Sequence, residues 1–122
     1  MSSNPPYDPW VHAKQLGLQV LERPITTAHG LWLPDYFTIV LKDSMAPWAK
    51  RAALAHEIGH ALCGHTESTP ANEAEANHRA VWNMTRSLPR GFPLTREALG
   101  CTTAMLADFL AMRVPPISGQ VA

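Results

Sequence analysis

Apolar positions recur along this chain in blocks whose period changes from block to block, and Gly or Pro marks most of the borders. Asp8 before Pro9 reads as an N-cap with Pro in the first helical position, and predicts a helix over residues 9–16 that Gly17 stops. That helix would turn Trp10, Val11, Ala13 and Leu16 toward a core. Residues 18–21 form a short strand candidate closed by Pro24, and 25–30 read as a connector. Residues 31–33 and 36–41 are β-rich runs on either side of Pro34 and Asp35, a turn signal, so they predict a hairpin or one broken strand.

Ser44 then offers a cap, with Pro47 inside the first turn. An Ala- and Leu-rich segment from about residue 46 to 62 or 63 predicts a helix, ended by Gly64. After a polar loop over 66–71, Asn72 can cap a further helix reaching about Arg86. Glu73 and Glu75 lie in its first turn, where the helix dipole favours acids. Residues 88–93 read as a loop. A last helical region begins at Leu94 or Thr95, breaks at Gly100, resumes over 102–112 and stops at Pro115 and Pro116. Residues 1–8 read as an irregular arm and 115–122 as a loose tail. The pattern predicts an α+β fold over 1–122, a single domain with a small sheet of two or three strands packed on about four helices.

Composition narrows the function classes. With 122 residues, 46% apolar, the chain has room for one domain and a real core. Ten basic and ten acidic side chains balance, which argues against a phosphate backbone as the main partner, so no direct binding to nucleic acid is expected. Only 16% of residues are charged, which hints at a patch that a partner covers. Cys63 and Cys101 do not make a disulfide framework and read as small buried hydrophobes. The first residues carry neither a basic nor an apolar signal segment, and no apolar run approaches the ~18 residues of a membrane span. The expectation is a soluble cytoplasmic protein with no membrane partner.

The histidines change this bland picture, because three of the six fall within ten residues: His56, His60 and His65. His56-Glu57-Ile58-Gly59-His60 is an HEXXH motif in the middle of a predicted helix. Residues four apart share a helix face, so two imidazoles there can converge on one Zn²⁺. Glu57, about 100° around the helix, is placed to take a proton from metal-bound water rather than to ligate. Gly59 inside a helix costs ~1 kcal/mol against Ala and so implies a packing or access requirement.

A catalytic zinc needs a third protein ligand and an open position. The metzincin spacing fails, because Cys63 and Thr66 stand where Gly and His would be required. Glu73 is preferred: an antiparallel helix pair would carry it back over the motif, and Asn77 four residues on can orient a ligand or histidine. Glu75 lacks such a partner and reads as a solvated acid, but it stays an alternative. His65 ranks behind both, about 140° from the His60 face unless the chain turns at Gly64. Tyr36, His65 and His78 are unranked candidates for stabilising an oxyanion. Trp32 and Trp48 read as core or rim anchors.

These residues resemble the ImmA/IrrE family of metallopeptidases. The likeness rests on Leu54-Ala55-His56-Glu57 with Gly59-His60, on Gly64-His65, and on Glu73-Ala74-Glu75-Ala76-Asn77, and it spans about residues 8–86. It implies a minimal zincin-like core over 9–86, followed by a C-terminal helical region over 94–113. It also implies a zinc-dependent endopeptidase of bacteria, phages or mobile elements, with His56, His60 and Glu73 as zinc ligands and Glu57 as general base. The partner it implies is a helix-turn-helix DNA-binding repressor, cleaved in the bacterial host cytoplasm. The run His78-Arg79-Ala80-Val81-Trp82 departs from the family's usual continuation. The alternative is a non-catalytic zinc-containing module that sequesters a partner. Residues 94–110 faintly resemble a helix-turn-helix, but a helical hairpin packed on the core is preferred, since its second helix has no Lys or Arg before Arg113.

Overall fold

The computed structural model describes residues 7–86 and 88–112. The expected tail over 115–122 and most of the expected N-terminal arm lie outside these residues. The fold is α+β: three strands and five α-helices in the order α1 (Pro9–Gln15), β1 (Gln19–Arg23), β2 (Gly30–Leu33), β3 (Thr38–Lys42), α2 (Pro47–Cys63), α3 (Pro70–Thr85), α4 (Arg96–Leu99) and α5 (Thr103–Met112). The last helical region divides at Gly100 as expected, the φ of 71° there ending α4.

The sheet runs β1-β3-β2. β1 lies parallel to β3, from Gln19 opposite Thr38 to Arg23 opposite Lys42, and β2 pairs antiparallel with β3. The β2–β3 connection is therefore a hairpin. A 3₁₀ turn over Pro34–Tyr36 and the left-handed Phe37, φ 46°, make its bend. Tyr36 belongs to that turn and not to the strand. β3 is central, and Thr38–Leu41 are buried throughout, as a near-continuous apolar run requires.

α2 is the spine of the molecule. One face, with Leu54 and Ile58, packs on Ala13, Ile39 and Leu41. Another, with Ala52 and Ala55, packs on Ala80, Val81 and Met84 of α3 and on Leu99, Cys101 and Met105 beyond. The C-terminal hairpin is thus core packing, with Thr95 and Thr102 hydroxyls capping its two helices.

Several local expectations are corrected. α1 is capped by Asp8 as expected, but it buries Pro9 and Ala13 while Trp10, Val11 and Leu16 stand exposed. Its inward stripe is the single i, i+4 pair, and Trp10 and Val11 open instead on a hollow shared with His12, Arg51 and Arg86. α2 has Ala46 at its N-cap with no side-chain bond, so Ser44 does not cap it. Pro47 at N1 has no amide to satisfy. α3 begins at Pro70, capped by Thr69, whose hydroxyl accepts from the Asn72 amide at 3.1 Å. Asn72 is therefore inside the first turn, and its own side chain donates to the Glu67 carbonyl. Among the described residues no helix is long and apolar enough to cross a membrane.

Candidate metal centre

α2 and α3 lie side by side, and Gly59 is the reason they come so close. A Cβ there would stand 2.3 Å from the Ala76 carbonyl oxygen of α3. The cost of glycine in a helix is thus the cost of a close helix seam. Across that seam α2 presents His56 and His60, one turn apart, and α3 presents Glu73.

The three side chains converge. His56 Nε2 lies 3.1 Å from His60 Nε2 and 3.0 Å from Glu73 Oε1, and His60 Nε2 lies 2.9 Å from Glu73 Oε2. Glu75 points elsewhere: its Oε1 is 2.7 Å from His65 Nε2. The sequence reading of Glu75 as a solvated acid is corrected, for it is the partner of a buried histidine. Cys63, His65 and Glu75 form a second close group, with potential ligand atoms within 4.8 Å of one another.

Hydrogen bonding fixes which atoms face the centre. Asn77 Nδ2 donates to Asp108 Oδ2 at 2.8 Å, because a carboxylate only accepts. Asn77 Oδ1 then faces His56 Nδ1 at 2.7 Å and must receive its proton. On the other side, Glu75 accepts from His65 Nε2, which leaves His65 Nδ1 to accept from His60 Nδ1 at 2.9 Å. As neutral imidazoles, both ligand-candidate histidines would therefore carry hydrogen on Nδ1 and a bare lone pair on Nε2. In that state two imidazole lone pairs and a carboxylate face one another at 2.9–3.1 Å. Four acceptor atoms so placed repel unless a cation lies among them. Ligand atoms on a tetrahedral zinc with ~2.0–2.1 Å bonds stand about 3.3 Å apart, close to this spacing. The set fits a metal ion, and His56, His60 and Glu73 could hold one.

Protonation agrees with that reading. Burial pushes His60 below the usual imidazole range, and neighbouring His56 adds to the effect. Burial pulls the Glu73 carboxyl upward, but the Ser68 hydroxyl at 2.9 Å and the two histidines together outweigh it and hold it below its ordinary value. The pair is thus a carboxylate facing a neutral imidazole, the state a metal requires of both.

Glu57 sits beside the set, 7% exposed. Burial raises its pKa to about 7, with His56 opposing and Glu73 reinforcing the rise. It faces β2 across Gly30, where an added Cβ would come within 3.0 Å of Glu57 Cγ and 3.2 Å of Oε2. Hollows of about 300 and 310 Å³ open on either side of Glu57 and Glu73. One is bounded by β2 and the α2–α3 loop with His60 and His65, the other by Trp48, His56 and Met105.

The oxyanion candidates separate. Tyr36 is 75% exposed in the hairpin turn and lines neither hollow. His78 is fully buried on the far side of α3, stacked on Phe109 at 5.3 Å between centroids. His65 is at the centre, but both ring nitrogens are engaged with His60 and Glu75. Trp32 anchors it, donating from Nε1 to the His65 carbonyl at 3.1 Å, and Trp48 stands 57% exposed on the rim. Ser68, Gly30 and Asp108 were missed in the sequence. Asp108 alone left a signal there, as a single acid in the apolar run of α5.

A helix presenting two histidines one turn apart, a carboxylate from the next helix and a buried glutamate between them define the HEXXH class of metal centre. The comparison with known families agrees. Residues 13–85 match the model of the peptidase M78 family, described as the IrrE N-terminal-like domain, and the chain belongs to that family. Neither the curated proteins nor the solved structures gave a match. The matched span ends with α3, so α4 and α5 lie beyond it.

Proposed function

We propose that this protein is a zinc-dependent endopeptidase. The observation that carries the reading is the meeting of His56 Nε2, His60 Nε2 and the Glu73 carboxylate at 2.9–3.1 Å, with Glu57 buried beside them. His56, His60 and Glu73 would hold the ion. When bound, zinc polarises the scissile carbonyl and makes water a stronger nucleophile near neutral pH. Glu57 takes one proton from the attacking water as the new C–O bond forms. It delivers that proton to the departing amine as the C–N bond breaks.

β2 is an edge strand, paired only with β3 among the described residues, and it passes Glu57 at Gly30. An extended peptide added to that edge would lie across both hollows. The resemblance to ImmA/IrrE peptidases supports a helix-turn-helix repressor as the substrate and the bacterial cytoplasm as the setting.

Purified protein should hold about one zinc per chain. Glu57→Ala should keep the metal and lose cleavage of a helix-turn-helix repressor by two or more orders of magnitude, as general-base removal does. If Glu57→Ala cleaves as well as the parent, the mechanism is wrong. If the parent forms a stable zinc-containing complex in which the repressor stays intact, the protein is a sequestering module instead.

A further inference from the structure

We infer that Asp108 of α5 is a positioning residue for the metal centre: by fixing the Asn77 amide it sets the tautomer of His56 and aims the Nε2 lone pair at the ion. This rests on the reading of His56, His60 and Glu73 as ligands.

A primary amide can present either its oxygen or its nitrogen to a neighbour, and the two orientations have nearly the same shape. With Asp108 Oδ2 at 2.8 Å from Asn77 Nδ2, only one orientation is compatible, because the carboxylate cannot donate. Asn77 Oδ1 is then held at 2.7 Å from His56 Nδ1 and draws the ring proton to that side. Without Asp108 the amide can turn over and offer its N–H to Nδ1. His56 would then carry hydrogen on Nε2, pointed at Glu73 Oε1 3.0 Å away. That proton occupies the place a metal bond would take, so the amide orientation decides between a hydrogen bond and a ligand.

Among the described residues, the Asn77 amide is the only group this acid serves. α5 reads Thr-Ala-Met-Leu-Ala-Asp-Phe-Leu-Ala-Met, and Asp108 is its sole ionisable residue. It is half-buried, and among the described residues it makes no ion pair. Among the described residues its one side-chain hydrogen bond crosses 31 positions of sequence to Asn77. His60 has a chain of its own, through His65 to Glu75, that lies wholly within the family match. The chain from His56 ends on a carboxylate beyond residue 85, so the C-terminal hairpin completes the centre as well as covering the core. Charge placed behind a ligating imidazole through an intervening group also raises its basicity toward the metal.

The test is competition for zinc against a chromophoric chelator, with the visible spectrum of the cobalt-substituted protein as a second readout. Asp108→Ala should weaken zinc binding by roughly 10- to 100-fold, the usual effect of losing a group behind a metal ligand. It should also alter the cobalt band envelope. Asp108→Asn keeps an acceptor for the amide and should recover most of the loss. Adding Asn77→Asp to Asp108→Ala sets a carboxylate directly on His56 Nδ1 and should also restore affinity, whereas Asn77→Asp alone, with two acids facing, should not. Zinc affinity of Asp108→Ala within twofold of the parent, with an unchanged cobalt spectrum, overturns the inference. So does Asp108→Asn binding as weakly as Asp108→Ala. If Asp108→Ala does not fold without metal, Asp108→Asn and the double variant carry the same comparison. A parent that binds neither metal, or a Glu73→Ala form that binds as tightly as the parent, sinks the ligand assignment itself.

Discussion

Glu57 is a carboxyl group placed where its charge is costly. In the metal-free protein it holds its proton to about pH 7, against 4.5 for the free side chain, because it is buried between α2 and β2. The unfolded chain releases that proton from pH 4.5 upward while the folded chain keeps it. Metal-free stability is therefore full below pH 4.5 and falls as the pH rises through 7, by on the order of 3 kcal/mol for this group. Glu57→Gln removes the titration. Urea unfolding of the metal-free proteins should show the variant more stable than the parent at pH 8 and equal to it at pH 4. Equal stability at both values would mean that burial does not govern this carboxyl. A bound cation would favour the ionised form, so the parent's disadvantage should shrink when metal is added.

The elements tell how much of this was legible in the sequence. Each helix was readable from periodicity and from Gly and Pro, because those signals act within a few residues, whereas the choice between a hairpin and one broken strand over 31–41 was left to the pairing of β2 with β3. Caps were less so: Asn72 and Ser44 were good cap residues in the wrong places. Thr69 before Pro70 supplied the real start of α3, and at Ala46 a proline removed the need for a side-chain cap. This matters because the start of α3 sets the rotational phase that delivers Glu73. Thr69→Ala should cost about 1 kcal/mol of stability, read by thermal unfolding. Gly59→Ala is the sharper test. The gain in helix propensity of ~1 kcal/mol is overridden by a Cβ 2.3 Å from a backbone oxygen. The variant should lose roughly 1–3 kcal/mol net, as overpacked seams do. It should also bind zinc more weakly, since parting α2 from α3 parts the histidines from Glu73. Stability gained on that substitution would refute the close-seam account.

At the scale of the whole molecule, the site was half visible. His56, Glu57 and His60 stand in one five-residue word, and Glu73 with Asn77 follows one loop later. What lies around them was not readable, because it is assembled by packing. The Trp32 side chain reaches the His65 carbonyl 33 positions away, and Asp108 reaches Asn77 across 31. Glu75 was misread for the same reason, since its partner comes into reach only after Gly64 turns the chain, with the His65 amide bonded back to the His60 carbonyl. The two cores meet on α2, so a change in either is expected to reach the histidines. Met105→Ala, in the core that joins α5 to α2 and α3, should cost 2–5 kcal/mol by chemical denaturation and lower zinc affinity with it.

The α2–α3 seam has a further consequence for the life of the chain in a cell. A metal held from both sides of the seam by His56, His60 and Glu73 would be a clasp, closed only in the folded form, and mass action would then tie the population of folded chains to the metal supply. At a free zinc level one hundred times the dissociation constant, the clasp would add about 2.7 kcal/mol to folding. Metal scarcity would then shorten the protein's survival against proteases as well as silence it. Its half-life in chelator-treated cells should fall, and that of a Glu73→Ala form should not respond.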